Sequence, residues 1–341
     1  MVHPNRVDAT GIWKLKDISK HIKAESVDLE YSSLGAFPNT GSRALFSHGY
    51  LNSNVINYLE VGTLGNSVDF GDLTVGRMSG GGGASSNTRA CVMGSHVSGK
   101  NVIDYVTMQS TGNATDFGDM SVARAWSNSA SNQIRGVTAG GETPSPASGT
   151  VQDTIDYITI STTGNSVDFG NQTDSRSGHF GTASPTRAIY GGGTAPSVVN
   201  TIDYVTIATT GNAIDFGDMT QVGSRSNAAS DGLRAVIAVC QNGDTTHRNN
   251  MDLIYIATKG NTADFGDMTV AGSMRIDFSN SVRGGWALGY GEPAFVNTNV
   301  IDYYIFSTRG DCADFGDNVS GATREASGGM SESHGGLTHG L

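Results

Sequence analysis

The sequence predicts an all-β fold: six four-stranded blades closed into a ring, a β-propeller, behind a short N-terminal arm. Three observations carry this. The tripeptide Asp-Phe-Gly recurs six times, with Phe70, Phe117, Phe169, Phe216, Phe265 and Phe315 spaced by 47, 52, 47, 49 and 50 residues. Within each unit, short segments alternate apolar and polar residues, the period of a half-buried strand rather than of a helix. The 341 residues include 47 glycines and only 7 prolines, with 16% charged residues, which suits many short strands joined by tight turns. A period of 40–50 residues is that of a propeller blade.

Each unit reads in order. Arginines 43, 89, 135, 187, 234 and 283 each open a short apolar strand, as in Arg187-Ala-Ile-Tyr. A strand carrying Ile-Asp-Tyr follows, as in Thr201–Ile207. Thr-Gly-Asn then suits a tight hairpin, because Gly and Asn accept positive φ. The Asp-Phe-Gly-Asp segment returns as the neighbouring strand. A second set of arginines, 77, 124, 176, 225, 275 and 324, leads into a strand of small residues such as Ser226–Ser230. Small side chains fit the crowded axis of a ring; Trp126 breaks that rule and is expected to plug the channel or tilt into a blade interface. The chain enters its first unit at the second strand, Ala44–Gly49, and ends on Arg324-Glu-Ala-Ser-Gly-Gly-Met-Ser, which matches an inner strand. The C-terminal strand is therefore expected to complete the first blade and remove two open sheet edges. The expected domains are an attachment arm, 1–40, and the propeller, 41–341.

Charge and motif content narrow the functional classes. A net charge of −11 argues against nucleic acid as a partner. No run of 18 apolar residues is present, so no membrane span is expected, and no basic-then-apolar leader opens the chain. Cys91, Cys240 and Cys312 are too scattered for a disulfide framework or a zinc site and read as buried packing residues. The eight histidines show no ligand spacing. Asp-Phe-Gly also occurs in protein kinases, but no phosphate loop or catalytic-loop signature accompanies it, and Gly80–Gly83 lacks the Lys-Ser/Thr ending of a phosphate-binding loop. An active site needs a unique constellation, whereas these aspartates and arginines recur. They read as Arg–Asp pairs and Asp-to-backbone bonds between blades, in preference to a ring of ion sites. No catalytic residue, metal site or cofactor is expected.

Recognition is expected on the variable loops between the second and third strands. The third unit carries Glu142-Thr-Pro-Ser-Pro-Ala-Ser-Gly, the fifth Gln241 to Arg248, and the sixth Tyr290 to Phe295. Tyr290 and Phe295 would stack on a sugar or a protein partner, and His247, Arg248 and Glu292 would add polar contacts. In the arm, Leu15, Ile18 and Ile22 fall at helical spacing behind Trp13, ringed by lysines; such a short helix must dock on something to be stable.

The strand order resembles the kelch repeat over roughly residues 42–335, with a Phe where that family has its outer Trp and Asp-Tyr where it has Tyr-Asp. The phrase Gly11-Ile-Trp-Lys-Leu15 resembles the start of many bacteriophage tail and fibre proteins. The repeats are similar to kelch-like virion proteins of marine and cyanobacterial phages. These resemblances imply a tail-fibre or adhesin component of an extracellular virion. It would be held to other virion proteins through residues 1–40, be a homo-oligomer or present in multiple copies, and bind a host-surface glycan or protein without catalysis. A decoration or connector protein, and a glycan-degrading enzyme, are the alternatives.

Overall fold

The structure is a computed structural model that describes residues 43–48, 52–77, 82–95, 101–143, 149–194, 196–242, 247–292, 296–320 and 326–331. Trp13, Leu15, Ile18 and Ile22 of the arm, with Phe295 and Arg324, lie outside the described residues. Within them the fold is all-β, with no helix long and apolar enough to cross a membrane.

Six antiparallel blades form the ring. In the fourth, Phe180–Ala183 is innermost, followed by Arg187–Gly191, Thr201–Thr206 and Ile214–Asp218. The other inner strands are Gly83–Ser85, Asn128–Ser131, Asn227–Ser230, Ile276–Ser279 and Ala326–Ser331. The last of these closes the ring as expected: it pairs antiparallel with Arg43–His48, Leu45 opposite Met330. Two expectations shift. Trp126 lies two residues ahead of its inner strand, not in it, and the sixth inner strand, Ile276-Asp-Phe-Ser, is not made of small residues.

Small side chains let the inner strands approach. The hydroxyl of Ser230 donates to the Ala183 carbonyl, that of Ser131 to Ser85, and that of Ser85 to Ser331, at 2.6, 3.1 and 2.8 Å. The apolar faces of neighbouring blades then pack into six buried clusters, each built around one repeat Phe.

The Asp-Phe-Gly repeat acquires a physical explanation. In every blade the register between the third and outer strands slips by one residue: Ile155 faces Gly170 while Asp156 faces Asp168, so Phe169 is the extra residue of a bulge. A bulged residue is released from the ladder. Its side chain turns into the core, edge-on to Tyr157 at 5.9 Å, and its carbonyl accepts the N–H of Gly211 in the next blade at 2.8 Å. The same bond recurs at all six blade junctions, from Gly65, Gly112, Gly164, Gly260 and Gly310 to Phe315, Phe70, Phe117, Phe216 and Phe265. The hairpin Asn or Asp completes the lock; Asn113, for example, accepts the Asp72 backbone N–H at 3.1 Å. The glycine after the Phe is required because the strands touch: a Cβ on Gly71 would stand 2.5 Å from the Gly112 oxygen.

The two arginine sets brace other points. Arg43, Arg89, Arg135, Arg187 and Arg283 lie over the Tyr of their own blade and reach a carbonyl at the end of the next blade's third strand, as Arg89 does with Tyr105 and Ile160. Arg234 departs from this pattern because Leu253 replaces the Tyr; it pairs instead with Asp231 at 2.7 Å. From the second set, Arg77, Arg124, Arg176 and Arg275 are fully buried against Asp104, Asp156, Asp203 and Asp302. A hydroxyl from the preceding outer strand joins each aspartate, as Ser121 does with Asp156 at 2.6 Å.

Candidate functional site

The two faces of the ring are chemically different. One carries the near-identical Gly-Asn hairpins, locked as described. On the other, the linkers entering the third to sixth blades bridge to the variable loop between the second and third strands: Ala125 with Glu142, Ser177 with Thr194, Ser224 with Gln241, and Ser273 with Tyr290. This pairing brings the variable loops to the axial opening.

The residue after each bridging linker residue turns into the left-handed region: Trp126 at φ 55°, Gly178 at 66°, Arg225 at 54° and Met274 at 55°. They form an arc around the axis. Gly178 N–H donates to the Trp126 carbonyl at 2.8 Å, Arg225 to Gly178 at 2.6 Å, and Met274 to Arg225 at 3.4 Å. Gly178 takes this conformation freely. For Trp126, Arg225 and Met274 it costs roughly 1–2 kcal/mol each. Strain of this kind in side chains gathered at one opening marks a candidate site.

Trp126 and Arg225 meet there. The guanidinium lies over the indole, 5.5 Å from the ring centroid; Arg225 is exposed and Trp126 half-buried. Asn227, Ser129, His179 and Asp277 line the cavity beneath, whose volume is about 70 Å³. His179 is 1% exposed, and neither ring nitrogen makes a well-formed hydrogen bond. Only the Ala139 backbone offers it a polar contact. Burial, followed by the charges of Arg176 and Arg124, pushes His179 down to about 3, so the ring is neutral at ordinary pH. Burial pushes the Asp277 carboxyl up to about 7.

Arg225 therefore departs from its expected role. Arg77, Arg124 and Arg176 stand seven residues after the repeat Phe, and Arg225 stands nine after it. The offset alone does not decide this, because Arg275 stands ten after Phe265 and is still buried against Asp302; Arg225 is the residue that follows the bridging Ser224 and takes the left-handed turn at the axis. Asp252, the carboxylate it was expected to meet, instead accepts from the hydroxyls of Thr220 and Thr262 at 2.8 and 2.5 Å. The offset was legible in the sequence; its consequence depends on the linker bridge.

Of the loop residues singled out from sequence, three come together. His247 Nδ1 lies 3.3 Å from Glu292 Oε1, its ring stacks on Tyr290 at 6.2 Å, and its Nε2 meets Ser273 Oγ at 3.0 Å. His247 is only 7% exposed, so it ties the fifth and sixth blades together and is not the open rim contact expected. Burial first, and Arg225 second, lower its pKa, against Glu292. Arg248 is half-buried and donates to the Val222 carbonyl at 2.9 Å, bracing the linker ahead of Arg225.

Cys91 and Cys240 are buried, with thiols pushed up to about 12 by burial, and Cys312 is half-buried. Among the described residues, no three His, Cys, Asp or Glu side chains gather as a metal-binding group. These features define a six-bladed β-propeller with an axial opening flanked by variable loops. No family model matches the chain, and no curated protein shows significant similarity to it.

Proposed function

We propose that the chain is a non-catalytic recognition head of a bacteriophage particle, a kelch-like propeller held in the tail or a fibre by residues 1–40. Its loop face would meet a glycan or protein of the host surface. The observation that carries this reading is the asymmetry of the faces. One is locked by six repeated hairpin bonds, while the other gathers loops of different length and chemistry around a strained backbone arc that leaves Arg225 exposed. Rigid scaffolds commonly carry recognition on such loops. The particle assignment rests on the resemblance of Gly11-Ile-Trp-Lys-Leu15 and of the repeats to phage tail and virion proteins. Several weak heads on one particle act together through effective concentration.

Immunogold labelling of purified particles with an antibody raised against the propeller tests the assignment. Gold at the tail tip or fibres supports the adhesin. Gold on the capsid or tail shaft favours a decoration or connector protein. Absence of gold removes the particle assignment.

A further inference from the structure

Among the described arginines of the second set, Arg225 alone is withdrawn from the buried pairs. Its guanidinium makes no hydrogen bond or ion pair with the described residues; it is exposed, its central carbon over the Trp126 ring at 5.5 Å from the centroid. A cation over an indole, with no carboxylate partner of its own, keeps its N–H groups for a ligand, and a guanidinium fork takes a carboxylate through two parallel bonds. Asn227 lines the same opening with an amide that makes no hydrogen bond to the described residues, and the half-buried indole offers apolar surface beside it. Buried His179, without a full hydrogen-bond partner, lines the cavity below.

Among the described residues, the other charged and titratable groups at the opening are engaged or buried. Arg275 is paired with Asp302, His247 with Glu292, and Asp277 lies in the wall. The free donors are therefore cationic and amide, next to an aromatic face. The cavity is small, with about 70 Å³ open to the centres of water-sized groups. It suits one small polar group inserted from a larger ligand lying across the loops.

We propose that the axial opening binds a carboxylate-bearing sugar, Arg225 taking the carboxylate through its N–H fork and Trp126 an apolar face of the sugar ring. This rests on the recognition-head reading and names its ligand class. The strain at Arg225 then has a use: φ of 54° carries the side chain to the axis, where the equivalent Gly178 supplies only backbone.

The test is fluorescence titration of the full-length protein with trigalacturonate and sialyllactose, with neutral trigalactose and lactose as counterparts. Inorganic phosphate and acetate are run at matched ionic strength, and Trp126→Phe identifies the responding indole. The expected result is saturable binding of at least one acidic sugar, about tenfold or more tighter than its neutral counterpart. Arg225→Gln should lose about tenfold or more with the melting temperature nearly unchanged. Arg225→Gly should lose binding while raising stability, because glycine relieves the strained φ. Equal affinity for acidic and neutral sugars, binding indifferent to both Arg225 variants, or no binding of either acid overturns the proposal. Phosphate or acetate binding as tightly as the sugars overturns the sugar component. A protein that binds the acids but does not label the particle keeps this inference and loses the particle assignment. Labelled tips without acid binding do the reverse.

Discussion

The backbone N–H of Gly65 donates to the carbonyl of Phe315 at 3.0 Å, joining the first blade to the sixth by the same bond that joins every other neighbouring pair. The first and last copies of the repeat thus meet through the bond they share with the others. The glycine after Phe315 makes this possible: a Cβ on Gly316 would stand 2.6 Å from the Gly65 oxygen, at a φ of 150°. A Cβ on Gly65 would meet nothing within 4 Å, although its φ of 147° is equally unfavourable to other residues. Gly65→Ala should therefore cost about 1–3 kcal/mol from backbone strain alone, and Gly316→Ala more, because the blades must also separate. Chemical denaturation of both variants checks the order; equal losses would contradict the contact.

The buried arginine pairs should be fragile to single substitution and tolerant of joint replacement. Arg124 and Asp156 are 2.7 Å apart and almost wholly excluded from solvent. Removing the guanidinium alone strands a carboxylate in the interior, so Arg124→Met should cost about 3–5 kcal/mol. Arg124→Met with Asp156→Leu should recover most of that loss, because two desolvated charges give way to apolar packing. A double-mutant cycle measured by denaturation reads the coupling.

Ring closure depends on the C-terminal strand. Ending the chain after Ser320 removes Ala326–Ser331, uncovering the strand that starts at Arg43 and emptying the place of Met330, which is 1% exposed. The longer strand Arg43–His48 then becomes an unpaired edge at the axis. Size-exclusion chromatography with thermal melting should show aggregation or a broadened transition; a sharp monomeric melt would contradict the closure.

Asp277 should make stability depend on pH in a defined window. Its folded carboxyl titrates near 7 against an ordinary value of 3.8, so the native state holds a proton that the unfolded chain releases. This contribution is complete below about pH 4, is lost as pH rises through 7, and amounts to something on the order of 4 kcal/mol. His179 acts oppositely. Its folded value near 3, against 6.5, gives stability that is present above pH 6.5 and lost as pH falls toward 3. The stability of Asp277→Asn relative to the parent should therefore rise between pH 4 and 7 and level off above. A flat difference would show that Asp277 is not held in its protonated form.

Much of the fold was legible because its signals are local and repeated. Phe169 and Gly170 mark a bulge, Gly211-Asn212 a hairpin, and six copies of each set the number of blades. The site was less legible. Tyr290, Glu292 and His247 were read as one variable surface, and they do meet, but His247 is buried between loops as a tie. Trp126 stood out only as a large residue in a small-residue setting. Arg225 was concealed by its resemblance to a scaffold arginine two residues away in phase.

The sequence by itself determined the blade count, the strand order and the closing strand, since each follows from alternation, turn chemistry and repetition within about 50 residues. The tertiary structure alone decided which recurring charges are sequestered and which is set free. Burial of Arg124 against Asp156, and exposure of Arg225 on Trp126, depend on a linker bridged to a distant loop and turned into the left-handed region. Desolvation and strain at those points arise only when the blades close around a common axis.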